Sequence, residues 1–184
     1  MKDELTKFVK AALYVALGIY LILFLILCVF NLMTPFRAVG FIGWSVLFTT
    51  CIMTIYEKWM WRFNPFSKIP RLAKNYEGTL EYNFDGQNKT KNIMLFIKQT
   101  LLTVSVKIKT DEITSYSITS DFSKQAEDYI LYYTYQTNPK SKYSERNPMQ
   151  FGTCRLELDE NNELYGKYWT TQLTKGDMYL KKTD

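Results

Sequence analysis

Tyr133 and Tyr135 lie two apart in one strand-like run, Tyr168 and Thr170 in another, and Ser115 and Ser117 in a third. Residues two apart share one face of a β-strand. If these three faces look into a common interior, the rings offer flat surfaces for a nucleobase and the hydroxyls bond ring edges and phosphates. Stacking contributes ~1–3 kcal/mol per base, so two stacked bases would carry much of a ligand's affinity. Arg155 is the candidate phosphate clamp through its forked donors; pairing with Glu157 or Asp159 on a solvated strand is the plainer alternative. Taken singly, each tyrosine is explained by strand propensity and core packing. Only the set points further.

Catalytic chemistry finds little to work with. The chain has no histidine, which removes His-based triads, imidazole general bases and most zinc or non-haem iron sites. Its three cysteines, Cys28, Cys51 and Cys154, form neither a CxxC nor an even-numbered framework. No G-x-S-x-G, Walker loop or dinucleotide fingerprint occurs. The carboxylate pairs Asp111-Glu112, Glu127-Asp128 and Asp159-Glu160 fall where turns are expected and read as solvated turn acids. The expectation is a protein that is not an enzyme, without a metal or cofactor. The net charge of +5 comes mostly from residues 1–69, with seven Lys/Arg against three acids. Residues 70–184 carry sixteen against fifteen, so the broad basic footprint that duplex nucleic acid requires is missing.

The elements that must position these side chains follow from period-two patterning. Tyr76–Phe84 alternates, with Tyr76, Gly78, Leu80, Tyr82 and Phe84 on one side, and Asp85-Gly86 supplies turn chemistry. Asn92–Gln99 follows, then Leu101–Lys109, whose Leu102, Val104, Val106 and Ile108 face in. Ile113–Ser120, Tyr129–Gln136, Thr153–Asp159, Glu163–Thr171 and Gly176–Lys182 complete the set, with Asn138–Pro148 as the longest loop. Eight short strands joined by short turns predict an all-β domain, a small eight-stranded antiparallel meander β-barrel wide enough to hold one small ligand. Outward Lys, Thr, Ser and Glu exclude a lipid-embedded barrel.

Before the barrel, Ala11–Phe30 runs twenty residues without a charge and Ala38–Tyr56 nineteen more. At ~1.5 Å rise per residue each reaches about 28–30 Å, the depth of a bilayer's hydrocarbon core. Pro35 punctuates the intervening Asn31–Arg37. The predicted organisation is a transmembrane helical hairpin over 1–62, with spans about 9–33 and 37–57, a linker over 63–73, and the β-barrel over 74–184. Lys2, Lys7 and Lys10 precede the first span, and Lys58, Arg62, Lys68, Arg71 and Lys74 follow the second, against Arg37 alone between them. This bias puts both termini and the barrel in the cytoplasm. Tyr56, Trp59 and Trp61 read as an aromatic belt at the headgroups. The spans encode no charged conduction path, and Ala12, Ala16, Gly18, Gly40 and Gly43 would permit close helix contacts.

Several short motifs fit this order of parts: Tyr76-Glu-Gly78, Leu131-Tyr-Tyr133-Thr-Tyr135 with Pro139 after it, and Gly152-Thr153-x-x-Leu156. The most specific is Leu164-Tyr-Gly166-Lys-Tyr168-Trp-Thr170 with a closing Gly176. Across its whole length the chain resembles the small membrane effectors of bacterial CBASS anti-phage systems, the CD-NTase-associated proteins with a two-helix anchor and a C-terminal β-barrel. The resemblance implies that the barrel binds a cyclic dinucleotide made by a cognate nucleotidyltransferase, as activating ligand. It further implies a homo-oligomer on activation, contact with membrane lipid, and disruption of the bacterial inner membrane leading to growth arrest or cell death. Two alternatives stay open: a tethered lipocalin-like barrel holding an apolar ligand or lipid, and an adaptor whose barrel is solidly packed and binds a protein.

Overall fold

A computed structural model describes residues 2–30, 34–65, 67–84 and 87–183. The predicted turn at Asp85-Gly86, and residues 31–33 of the inter-span turn, lie outside the described residues. The chain divides into two compact units, Met1–Lys68 with Thr100–Leu102, and Ile69–Gln99 with Thr103–Asp184.

The first unit holds α1 (Lys2–Val29), α2 (Pro35–Lys58) and a short 3-10 turn, Met60–Phe63. Glu4–Val29 and Val39–Lys58 are long and apolar enough to cross a membrane. Pro35, which cannot donate a backbone bond, opens α2 where that donor has no partner, and the Thr34 hydroxyl accepts from Arg37 N at 3.3 Å. Within α2, Ser45 Oγ donates to the Ile42 carbonyl at 2.8 Å and Thr50 Oγ1 to Val46 at 2.9 Å. These bonds satisfy the hydroxyls within the helix itself. α1 and α2 pack together, and on α2 Ser45, Thr49 and Met53, spaced four apart, form the buried stripe. Within this chain a Cβ built on Gly18, Gly40 or Gly43 meets nothing within 4 Å. Trp61, assigned to the belt, is buried, while Trp59 is exposed.

The second unit is a closed eight-stranded barrel in sequence order: β1 (Asn75–Phe84), β2 (Gln87–Gln99), β3 (Val104–Lys109), β4 (Ile113–Gln125), β5 (Asp128–Pro139), β6 (Phe151–Leu158), β7 (Leu164–Thr170) and β8 (Lys175–Thr183). Every neighbouring pair is antiparallel, and β8 closes on β1 with Asn75 opposite Thr183 and Tyr82 opposite Gly176. Inward rows alternate as patterned: Ile93, Leu95 and Ile97 on β2, Leu131, Tyr133 and Tyr135 on β5, Cys154 and Leu156 on β6. Tyr116, Tyr132, Tyr165 and Tyr179 face outward and are exposed, so part of the tyrosine signal belongs to the outer surface.

Four strands depart from expectation. β2 starts at Gln87 rather than Asn92, because Gln87–Lys91 pair with Leu80–Phe84 across the hairpin. Leu101 and Leu102 precede β3 instead of opening it. β4 continues to Gln125 after a register shift between Ser117 and Thr119, which turns Ile118 outward. Asn138 and Pro139, expected in the loop, end β5.

One end of the barrel is plugged. Leu72, assigned to the linker, is buried in the core, its N–H donating to Gln99 Oε1 at 2.9 Å while Gln99 Nε2 donates to Pro70 O at 3.0 Å. Tyr76 Oη accepts from Ala73 N at 2.9 Å and donates to Asn162 Oδ1 at 3.0 Å.

Gly166 sits where β7 presses on β6: a Cβ there would lie 2.0 Å from the Arg155 carbonyl oxygen. Gly166→Ala is expected to cost ~2–4 kcal/mol, seen as a lowered thermal midpoint of the full chain in detergent, whereas Gly18→Ala leaves the midpoint unchanged or raised. Cys154 is fully buried and burial pushes its thiol up to about 12. At about pH 8 it should resist maleimide in the folded chain and react only after denaturation, as read by intact-mass spectrometry.

Candidate ligand-binding site

Along β1 the plugged end at Tyr76 gives way to an open end at Tyr82. There the barrel holds a cavity of about 420 Å³. That is the size of a small-molecule site. Its lining follows from how each inward row changes character as the strand leaves the core. On β2 the row Ile93, Lys91, Lys89 passes from apolar to cationic; on β5 Tyr133, Tyr135, Thr137 passes from buried ring to hydroxyl; on β7 Tyr168 leads to Thr170. The floor is apolar (Ile93, Ile108, Cys154, Met178), the wall carries Tyr82, Tyr135, Tyr168, Ser115, Thr137 and Thr170, and the rim carries Lys89, Lys91, Glu112, Arg146, Asn147 and Gln150.

The rim is organised by Glu112. Its carboxylate takes Lys91 Nζ at 2.9 Å and Arg146 Nη2 at 2.7 Å. The Lys91 hydrogen bond, with charge from Lys91 and Arg146 and a bond from Asn147, holds the Glu112 carboxyl below its usual range despite partial burial. Glu112 is therefore an ion-paired rim residue, and the reading of Asp111-Glu112 as solvated turn acids fails at this position. On the wall, burial raises the phenols of Tyr135 and Tyr168, so both stay protonated and can donate. The Tyr135 ring covers Gly152, where a Cβ would lie 2.4 Å from its hydroxyl oxygen. Gln150 Oε1 is buried without a hydrogen-bond partner among the described residues. Thr137 Oγ1 accepts from Gln150 N at 2.9 Å, and the Thr170 and Thr174 hydroxyls meet at 2.6 Å.

Of the residues singled out by sequence, Ser115, Tyr135, Tyr168 and Thr170 line this cavity together. Tyr133 lies deeper, 1% exposed beside the Cys154 thiol, and belongs to the core. Ser117 has its Oγ accepting from Val106 N at 3.0 Å, which ties β4 to β3 at the bulge. Arg155 is corrected: β6 turns Gly152, Cys154 and Leu156 inward, so Arg155 faces out and pairs with Glu157, whose carboxyl that pairing lowers. It cannot clamp a phosphate inside the barrel from there.

Sequence reasoning missed Tyr82, Lys89, Lys91, Glu112, Arg146 and Gln150. For Lys89 and Lys91 a signal existed, since they continue the parity of Ile93, Leu95 and Ile97; ending the strand at Asn92 hid it. Glu112, Arg146 and Gln150 stand outside the strands, where no period applies.

Residues 67–182, which contain the whole cavity lining, match the family model described as "Cap15, cyclic dinucleotide receptor domain". The chain is also 39% identical over 185 aligned positions to the CD-NTase-associated protein 15 of Staphylococcus schleiferi, with 99% of each chain covered. With both the receptor domain and the full-length likeness in place, on a two-helix unit followed by a closed eight-stranded barrel, this chain belongs to the Cap15 family.

Proposed function

We propose that this chain is a membrane-anchored cyclic dinucleotide receptor and CBASS effector. The observation that carries the reading is the union, in one cavity of the receptor-domain match, of an aromatic and hydroxyl wall with a cationic rim. Tyr135 and Tyr168, with Tyr82, offer ring faces for bases. Ser115 and Thr170 bond sugar or phosphate, and Gln150 can satisfy a base N–H with its unpartnered acceptor. Lys91 and Arg146 supply the charge that phosphodiesters need.

Filling the cavity then promotes self-association of the chain and gathers α1 and α2 into assemblies that breach the bacterial inner membrane, arresting or killing the host. Ligand control requires that the self-associating form bind ligand better, because a ligand shifts only equilibria it binds unequally. Lysines before the first span and Lys58, Arg62, Lys68, Arg71 and Lys74 after the second favour cytoplasmic termini, on the side where a cognate nucleotidyltransferase would release its product. A lipocalin-like reading needs an interior without convergent polar groups, and the rim and hydroxyl wall speak against it.

Calorimetric titration of the full chain in detergent against a panel of cyclic dinucleotides tests the receptor half; no binding to any of them would sink it. Tyr168→Ala is expected to weaken the best binder ~10–100-fold, the value of one stacked base, while Tyr132→Ala on the outer face leaves affinity unchanged. The effector half is tested by dye release from liposomes carrying the chain. Release should follow addition of that ligand, and intact liposomes at saturating ligand would refute it.

A further inference from the structure

We propose that Glu112 is a built-in competitor for the ligand's phosphate: its carboxylate occupies Lys91 and Arg146, the rim cations an anionic ligand would use, and so sets how much ligand the barrel requires. This rests on the cyclic dinucleotide reading above. Two positive side chains converge on one carboxylate at the entrance of a cavity whose floor is apolar. A phosphodiester arriving at those cations must displace Glu112 or share them with it, and either costs affinity through lost pairing or like-charge repulsion.

The turn around Glu112 is built so that only the side chain has to move. Its backbone N–H donates to Thr110 Oγ1 at 3.2 Å, its carbonyl accepts from Lys140 N at 2.9 Å, and Lys140 Nζ donates to the Asp111 carbonyl at 2.5 Å. These bonds hold the β3–β4 turn against the β5–β6 connection whether or not the carboxylate is engaged. The Glu112 side chain is 21% exposed at the rim, so it can swing into water without stranding a buried charge. Lys91 retains its place on β2, facing the same entrance as Lys89.

The exchange also carries a proton signature. The groups facing Glu112 are Lys91 from β2 and Arg146 and Asn147 from the β5–β6 connection. They hold the carboxyl low while engaged. Once a phosphate takes them, the carboxyl returns toward its ordinary range and takes up a proton more readily, so binding by the unaltered chain should tighten as pH falls from about 6 to about 4.

The test uses the full chain in detergent, titrated by calorimetry with cyclic di-AMP, cyclic di-GMP and cyclic GMP–AMP, in the unaltered form and as Glu112→Gln. A thermal unfolding scan checks that the variant is folded, and Glu112→Ala stands in if it is not. We expect the variant to bind about tenfold tighter at neutral pH and to lose the tightening on acidification. A variant that binds equally or more weakly, with the same pH profile, overturns the competitor role while leaving the receptor reading intact. Binding by the variant alone supports the proposal. Binding by neither form overturns both.

Discussion

In a closed barrel every strand residue is either inside or outside, and its parity within the strand decides which. Three inward rows here obey a second constraint as well: along the cavity they pass from apolar to polar toward the open end. Ile93 to Lys89, Tyr133 to Thr137 and Ile108 to Thr110 all make the change at the same end of the barrel. Dispersion and burial favour the first part of each row, which fills the core with Leu95, Leu131, Leu156, Leu164 and Leu180. Hydration favours the second, and the cavity is the volume left where the rows diverge in character. Stability and binding thus use different segments of the same strands.

That division explains what was legible beforehand. The order of two apolar helices and eight strands was readable because hydropathy and period-two alternation are local properties. Ser115, Tyr135, Tyr168 and Thr170 line the cavity because they sit in rows whose parity the neighbouring core residues reveal. Arg155 was misplaced by chemistry overruling parity: with Cys154 and Leu156 inside, a residue between them must point out. Tyr133 was correctly placed inside, but depth along a row is set by the register and tilt of all eight strands, which no single strand encodes. Glu112 lay beyond reach for a related reason. Its partners, Lys91 and Arg146, come from elements distant in sequence and meet only when the ring is complete.

The helical unit shows a similar economy of polar groups. Ser45 and Thr50 bond carbonyls of their own helix, so hydroxyls persist in an apolar span without partners from outside. The Ser45–Thr49–Met53 stripe, rather than the glycines, is what α2 buries.

The seam between β3 and β4 differs from the other seven. Its ladder pairs only Lys107–Lys109 with Thr114–Tyr116 among the described residues; beyond the bulge, serine hydroxyls take over, Ser117 receiving the Val106 N–H and Ser120 bonding the Val104 carbonyl. Side-chain stitches of this kind yield before a continuous backbone ladder does, so the least costly breach of the ring lies here. Ile108 and Ser115 border both this seam and the cavity. The least tightly laddered stretch of the ring is therefore also a wall of the cavity.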